Sequence, residues 1–305
     1  MTSEPAKPTR GTVFILLASL AFGSSGPLAK HLMQSGFSPQ EVASARIGLA
    51  AIVLLLAVSV TQPSILRIDR KHWRTVVAFG LIGVAAVQLL FFVAVSRLPV
   101  GVAMLLEYTS PVLVALWVRF VRRTKLSRLS WAGTALAFVG LAAVAQVWDS
   151  GRIDSLGLLA GMAAALCSAG YYLLAERGAG EQHPIGMVTW GMVIGALAVF
   201  AVAPPWDLPI TTDGDSLGYL VTLAVVSTAL AYALSTSSLR HLPSTVASVL
   251  ALTEPVVATL LAWAMLGETL DAAQIVGMVV LLSGALLVQL AARALVTPAE
   301  PLPMK

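Results

Sequence analysis

Residues 98–140 and 242–284 repeat one pattern at a constant offset of 144 positions. Leu98-Pro99-Val100-Gly101-Val102-Ala103 lies over Leu242-Pro243-Ser244-Thr245-Val246-Ala247. Without a gap, Pro111 then falls on Pro255, Leu126 on Leu270, Gly133 on Gly277 and Gly140 on Gly284. Each copy is a pair of long apolar stretches, and each carries a glutamate, Glu107 or Glu254, just upstream of its proline. The chain is therefore expected to be built twice from one helical unit. Only 11% of its residues are charged and 58% are hydrophobic, whereas soluble domains carry roughly 25% charged residues. Too little polar material is present to clothe a water-facing surface, so the unit belongs in a bilayer.

A hydrocarbon core about 30 Å thick needs roughly 20 apolar residues per helix. Ten stretches qualify: 11–32, 39–60, 73–95, 99–121, 128–148, 155–175, 184–203, 216–238, 243–266 and 271–293. The first is too long for the core of a signal peptide and lacks a small-residue cleavage pattern, so it reads as a retained helix. Short connections rich in Gly and Pro separate the stretches, and none has room for a soluble domain. The reading is all-α: ten transmembrane helices as two five-helix repeats, residues 11–150 and 151–293. Short tails (1–10 and 294–305) flank them, the last residues with three prolines and disordered in character.

Lysine and arginine set the expected direction. With the N-terminus cytoplasmic, that side holds fifteen of the 19, among them Arg67, Arg70, Lys71, Arg74, Arg119, Arg122, Arg123, Lys125, Arg128, Arg177 and Arg240. The other side holds Lys30, Arg97 and Arg152, and Arg46 lies within a span. By the positive-inside rule both termini are cytoplasmic. The net charge of +4 is thus a topology signal and not a nucleic-acid-binding face. Five helices per repeat is an odd number, so the second copy is inverted relative to the first. Inverted repeats with an ionisable group at mid-membrane depth are the pattern of secondary transporters, whose sites form where the halves meet.

Glu107 lies about 12 Å along its helix from Pro99, and Glu254 about 16 Å from Pro243, at roughly 1.5 Å per residue. A carboxylate at that depth costs at least ~2.5 kcal/mol, so it must border water, find a partner or carry a proton. Pro111 and Pro255 remove a helical N–H and should kink their helices, leaving the carbonyls of Glu107 and Ala251 open. The run Glu107-Tyr108-Thr109-Ser110-Pro111 combines a carboxylate, a phenol and two hydroxyls, a set suited to an ammonium group. The alternative is a structural role, capping or pairing neighbouring helices. Arg46 is seven residues inside the second stretch; it either balances a carboxylate in the interior or snorkels to the interface. Gln88, Ser24, Ser25, Tyr171, Tyr172, Trp190, Ser227, Thr228 and Tyr232 supply further polar or aromatic groups at central depth. The rows Val100/Ala103/Glu107/Ser110 and Ser244/Ala247/Ala251/Glu254 follow helical spacing and are expected to line one shared cavity, with the fifth and tenth helices outside it.

Enzyme patterns are not found. His31, His72, His183 and His241 have no ligand spacing to each other or to Cys167, so no metal is expected. The lone Cys167 forms no intramolecular disulfide and reads as a buried, inert thiol. There is no phosphate-binding loop, so an ATP-driven pump is unsupported and no cofactor is implied.

Pro243…Glu254-Pro255…Leu266-Gly267-Glu268-Thr269-Leu270…Gln274…Gly277…Gly284, with ten helices in two halves, resembles the EamA-type transporters of the drug/metabolite transporter superfamily. The run from Leu98 to Pro111, together with Ser227-Thr228-Ala229-Leu230-Ala231-Tyr232 and Leu242-Pro243, is similar to bacterial threonine/homoserine exporters. The resemblance implies export of small amino acids or related metabolites across a bacterial inner membrane, with protons as the counter-ion. It departs at Arg123-Thr124-Lys125-Leu126, which stands where the second copy reads Gly267-Glu268-Thr269-Leu270. The residues leave efflux of cationic or aromatic drug-like compounds open as an alternative. A membrane enzyme or structural subunit is more distant. The expected substrate-binding set is Glu107, Tyr108, Ser110, Arg46, Glu254, Gln88, Tyr232 and Trp190, with Pro111 and Pro255 as kinks.

Overall fold

The computed structural model describes residues 8–98, 100–146, 154–207, 214–266 and 270–296. Pro99, Trp148, Asp149, Arg152, Pro209 and Gly267-Glu268-Thr269 lie outside them, as do residues 1–7 and 297–305 of the tails. Ten apolar helices follow one another: α1 (Pro8–Gln34), α2 (Pro39–Thr61), α3 (Arg70–Val95), α4 (Val100–Glu107, then Ser110–Phe120), α5 (Arg128–Val144), α6 (Ser155–Glu181), α7 (Pro184–Phe200), α8 (Asp215–Ser238), α9 (Ser244–Leu250, then Thr253–Leu266) and α10 (Ala272–Val296). Eight are long and apolar enough to cross a bilayer by themselves; α5 and α7 are shorter, at 17 residues each. α6 and α10 run on to Glu181 and Val296, past the expected ends at 175 and 293.

Local chemistry starts several of these helices. Ser38 and Glu41 cap α2 reciprocally, Ser38 N–H donating to Glu41 Oε2 at 2.7 Å and Glu41 N–H to Ser38 Oγ at 3.3 Å, with Pro39 in the first turn. Ser127 caps α5 and Asp154 caps α6 through the N–H groups of Ser130 and Gly157. The bundle is large outside and small inside. Leu56, Val60, Leu159, Leu197, Val276 and Leu286 are exposed, while the interior is rich in Ala, Gly, Ser and Thr. Lipid tails are as apolar as leucine, so close packing of small residues, and not burial from water, drives helices together in a membrane.

Packing repeats with the sequence. α3 packs on α6 and, equivalently, α8 on α1; α4 packs on α6 as α9 does on α1; α7 meets α3 as α2 meets α8. α2–α7 and α5–α10 pair with their own counterparts. This is a pseudo-two-fold arrangement of two inverted five-helix repeats, whose halves interleave through most of their contacts. α5 and α10 form a pair through their glycines. A methyl built on Gly133 would stand 2.8 Å from the Gly284 carbonyl, on Gly140 2.7 Å from that of Gly277, and on Gly277 2.8 Å from that of Gly140. The glycines that the repeat aligns therefore pack one helix on its own copy. Gly157 and Gly161 likewise pack on Leu98 and Leu106, and Gly191 and Gly195 on Phe79 and Val84, all within the chain.

Two helices widen locally. α3 widens to a π-helix at Phe79–Ala86 and α8 at Val225–Leu230. With the offset of 144, residues 81–86 and 225–230 coincide, so this irregularity is itself part of the repeat.

Candidate functional site

The broken helices define the centre of the molecule. α4 is interrupted by a turn at Tyr108-Thr109 and α9 by one at Ala251-Leu252, each just before its proline. Pro111 then sits in the first turn of a new helical segment, where its missing N–H costs nothing. One expectation needs correction. The Ala251 carbonyl is not left open, because the Glu254 N–H reaches back to it at 2.9 Å and tightens the turn.

The breaks bring the two glutamates into one neighbourhood. The Tyr108 hydroxyl is in polar contact with the Glu254 carboxylate, tying the α4 break to the α9 break. Arg46 faces the same region from α2. It is 6% exposed and donates through Nε to Thr228 Oγ1 at 3.0 Å, within electrostatic reach of Glu254, Glu107 and Tyr232. Of the two readings of Arg46, the structure keeps the interior one; the guanidinium does not snorkel. Among the described residues its charge enters no direct ion pair with either glutamate. Glu107 and Glu254 are only half-buried although mid-span, so both border space that protein atoms do not fill. The arrangement is a buried cation within electrostatic reach of two carboxylates.

Both π-helical segments feed this centre. Thr228, the partner of Arg46, lies in the α8 segment and donates its own hydroxyl to the Leu223 carbonyl at 2.8 Å. Gly83, in the α3 segment, accepts from the Tyr232 hydroxyl at 3.2 Å. π-segments free backbone groups and recur at functional positions. Tyr232 is also in polar contact with Gln88, its own counterpart at the 144 offset. Around it, Tyr171, Tyr172, Phe22 and Phe79 pack as tilted and edge-on ring pairs with centroids 5.0–5.5 Å apart. Ser110 accepts from Ser168 Oγ at 3.1 Å, and Ser24 Oγ, where α1 is interrupted, is 2.8 Å from Ser227 Oγ.

Trp190 donates its indole N–H to the Leu66 carbonyl at 3.0 Å and meets the Trp73 ring edge-on, at the α2–α3 connection. One other expectation changes. The two small-residue rows do not line an open cavity here. Ala103, Ser110, Ser244 and Ala247 are each at most 1% exposed and Ala251 5%, while Glu107 and Glu254 are half-buried. Small residues let α4 and α9 press against α6 and α1, and the same faces that suit a cavity suit that contact. Gly83 and the π-segments were invisible in sequence, since the residues involved read as ordinary apolar helix. Among the described residues no cluster of His, Cys, Asp and Glu could hold a metal ion.

Comparison with known proteins settles the family. The profile of the EamA-like transporter family matches residues 9–146 and again 155–290. The chain belongs to that family. The inner membrane transporter YicL of Salmonella typhimurium is 25% identical over 289 residues, covering 93% of this chain and 96% of that protein. The threonine/homoserine exporter RhtA of the same species is 28% identical over 279 residues, 89% of this chain and 88% of that one. A transporter of Bacillus subtilis, YwfM, is 26% identical over 286 residues, 92% and 94% of the two chains. A solved crystal structure with 19% identity covers 95% of this chain and 99% of its own, with a TM-score of 0.79, and shares the fold. The protein is a multi-pass membrane transporter.

Proposed function

We propose that the protein exports small amino acids or related zwitterionic metabolites across a bacterial inner membrane, both termini in the cytoplasm, with inward proton flow as the driving force. The repeats, residues 11–150 and 151–293, would rock about the broken helices α4 and α9 to expose one central site to each side in turn. Arg46 carries this reading. A buried guanidinium facing Glu107 and Glu254 offers one charge for a carboxylate and two for an ammonium group. A site for lone cations would gain nothing from it and would be repelled by it. In the proposal Arg46 holds the substrate carboxylate. Glu107 takes the ammonium group or a proton in alternation, and Tyr108 and Glu254 complete the wall with Ser110, Gln88 and Tyr232. The similarity to threonine/homoserine exporters supports an amino acid of that size.

A substrate panel in proteoliposomes tests this, read with and without an imposed pH gradient. Accumulation of small hydroxy or aliphatic amino acids, faster with the gradient, is the expected result. Uptake of hydrophobic cations with no amino acid moved would replace the proposal by drug efflux.

A further inference from the structure

At one end of the site a single carboxylate holds several elements together. Glu176, near the end of α6, pairs through Oε2 with Nη1 of Arg122, which follows α4. Its other oxygen, Oε1, accepts the backbone N–H of Ser244, the first residue of α9, at 2.7 Å. Arg240, in the connection leading into α9, donates to the Ala179 carbonyl of α6 at 3.3 Å, at the same end. Glu176 therefore ties together the two half-helices that run from the central breaks to that end: Ser110–Phe120 of α4 and Ser244–Leu250 of α9. Neither can leave without giving up a charge-assisted contact to a half-buried carboxylate.

The repeat predicts the same device at the opposite end, and there it is missing. The position 144 residues before Glu176 is Leu32; those matching Ser244 and Arg122 are Val100 and Leu266. Leu32 is fully buried in an apolar cluster with Leu28, Phe37, Val42 and Leu223, where α1 ends and α2 and α8 begin. One end thus carries this carboxylate latch, whereas at the other the position of Glu176 is a buried leucine and the polar ties, Arg97–Asp154 and Ser216–Ser35, lie elsewhere. We infer that Glu176 is the positioning residue that gates the end carrying Arg122, and that it sets the balance between the two open states. The inference rests on alternating access but on no particular substrate.

Labelling without substrate tests it. Ala247→Cys, in a Cys167→Ser background, places a thiol one turn beyond Ser244 at a position now fully buried. Ala103→Cys marks the equivalent, equally buried position on α4. A membrane-impermeant maleimide is applied to inside-out and right-side-out vesicles. Glu176→Leu, which copies Leu32, should raise the labelling rate of the Ala247 thiol at least about fivefold from the Arg122 side and lower that of the Ala103 thiol. Arg122→Gln leaves the Ser244 contact and should raise it about twofold. Glu176→Gln, which retains an acceptor oxygen, should fall between, and it supplies the answer if the leucine variant does not fold. Unchanged Ala247 labelling in all three variants overturns the inference, as does an equal rise at Ala103, which would mean general loosening. Because no solute is involved, an incorrect substrate class would leave this result untouched.

Discussion

The α5–α10 pair and the α4–α9 pair descend from the same two stretches of the repeat, yet they keep its symmetry to different degrees. In the glycine pair each contact has its own copy: Gly133 faces Gly284 and, shifted by the offset, Gly277 faces Gly140, with backbone on backbone. In the broken pair the equivalents differ in kind. Glu107 matches Ala251, Glu254 matches Ser110 and Tyr108 matches Leu252. Packing needs two like surfaces, so symmetry survives where helices merely have to fit. A site that grips an asymmetric solute needs unlike groups on its two sides, and that is where the copies diverge.

The largest expected effect comes from breaking the symmetric pair. Gly140→Val would drive side-chain atoms into the Leu281 backbone and the Gly277 carbonyl, neither of which can yield as a side-chain tip would. Most of the folded protein should disappear from size-exclusion profiles in detergent. A normal monodisperse peak would mean that the seam is looser than described. In the asymmetric pair, Glu107→Gln keeps shape and removes titration. Transport should fall at least about tenfold with protein levels unchanged, and the pH dependence between 5.5 and 8 should flatten. Wild-type rates across that range would leave Glu107 a structural role.

Smaller effects sharpen the contrast further. Pro111→Ala and Pro255→Ala supply an N–H at each break and favour a continuous helix. Transport slowed about two- to fivefold at normal membrane levels is expected, and unchanged kinetics in both variants would detach the breaks from the motion. The least effect is expected at Arg123, one of two non-glycine residues with positive φ among the described residues, at 56°. Its equivalent is Gly267. A left-handed conformation costs a side-chain-bearing residue roughly 1 kcal/mol, so Arg123→Gly should raise thermal stability by a degree or two. A lower melting temperature would show that the arginine's charge outweighs the strain.

Sequence alone made the repeat, the ten helices, their breaks before Pro111 and Pro255 and the glycine seam legible, because each follows from spacing along one chain segment. The rest depended on partners distant in sequence. Arg46 could point inward or outward until Thr228 was seen 182 residues away. For Trp190 the depth was readable and its Leu66 partner was not. Glu176 went unnoticed, since nothing within α6 shows that its carboxylate reaches Ser244. The π-segments left no trace because a widened turn changes hydrogen bonding without changing composition.

The central claim is that a buried Arg46 opposite two glutamates selects zwitterions. Counterflow in proteoliposomes with an amino acid and with the amine that lacks only its carboxylate, run on wild type and Arg46→Gln, tests it most directly. The account predicts that wild type favours the amino acid at least about tenfold and that Arg46→Gln erases the preference by losing the amino acid. Equal transport of both solutes by wild type, or a preference that survives Arg46→Gln, would contradict it.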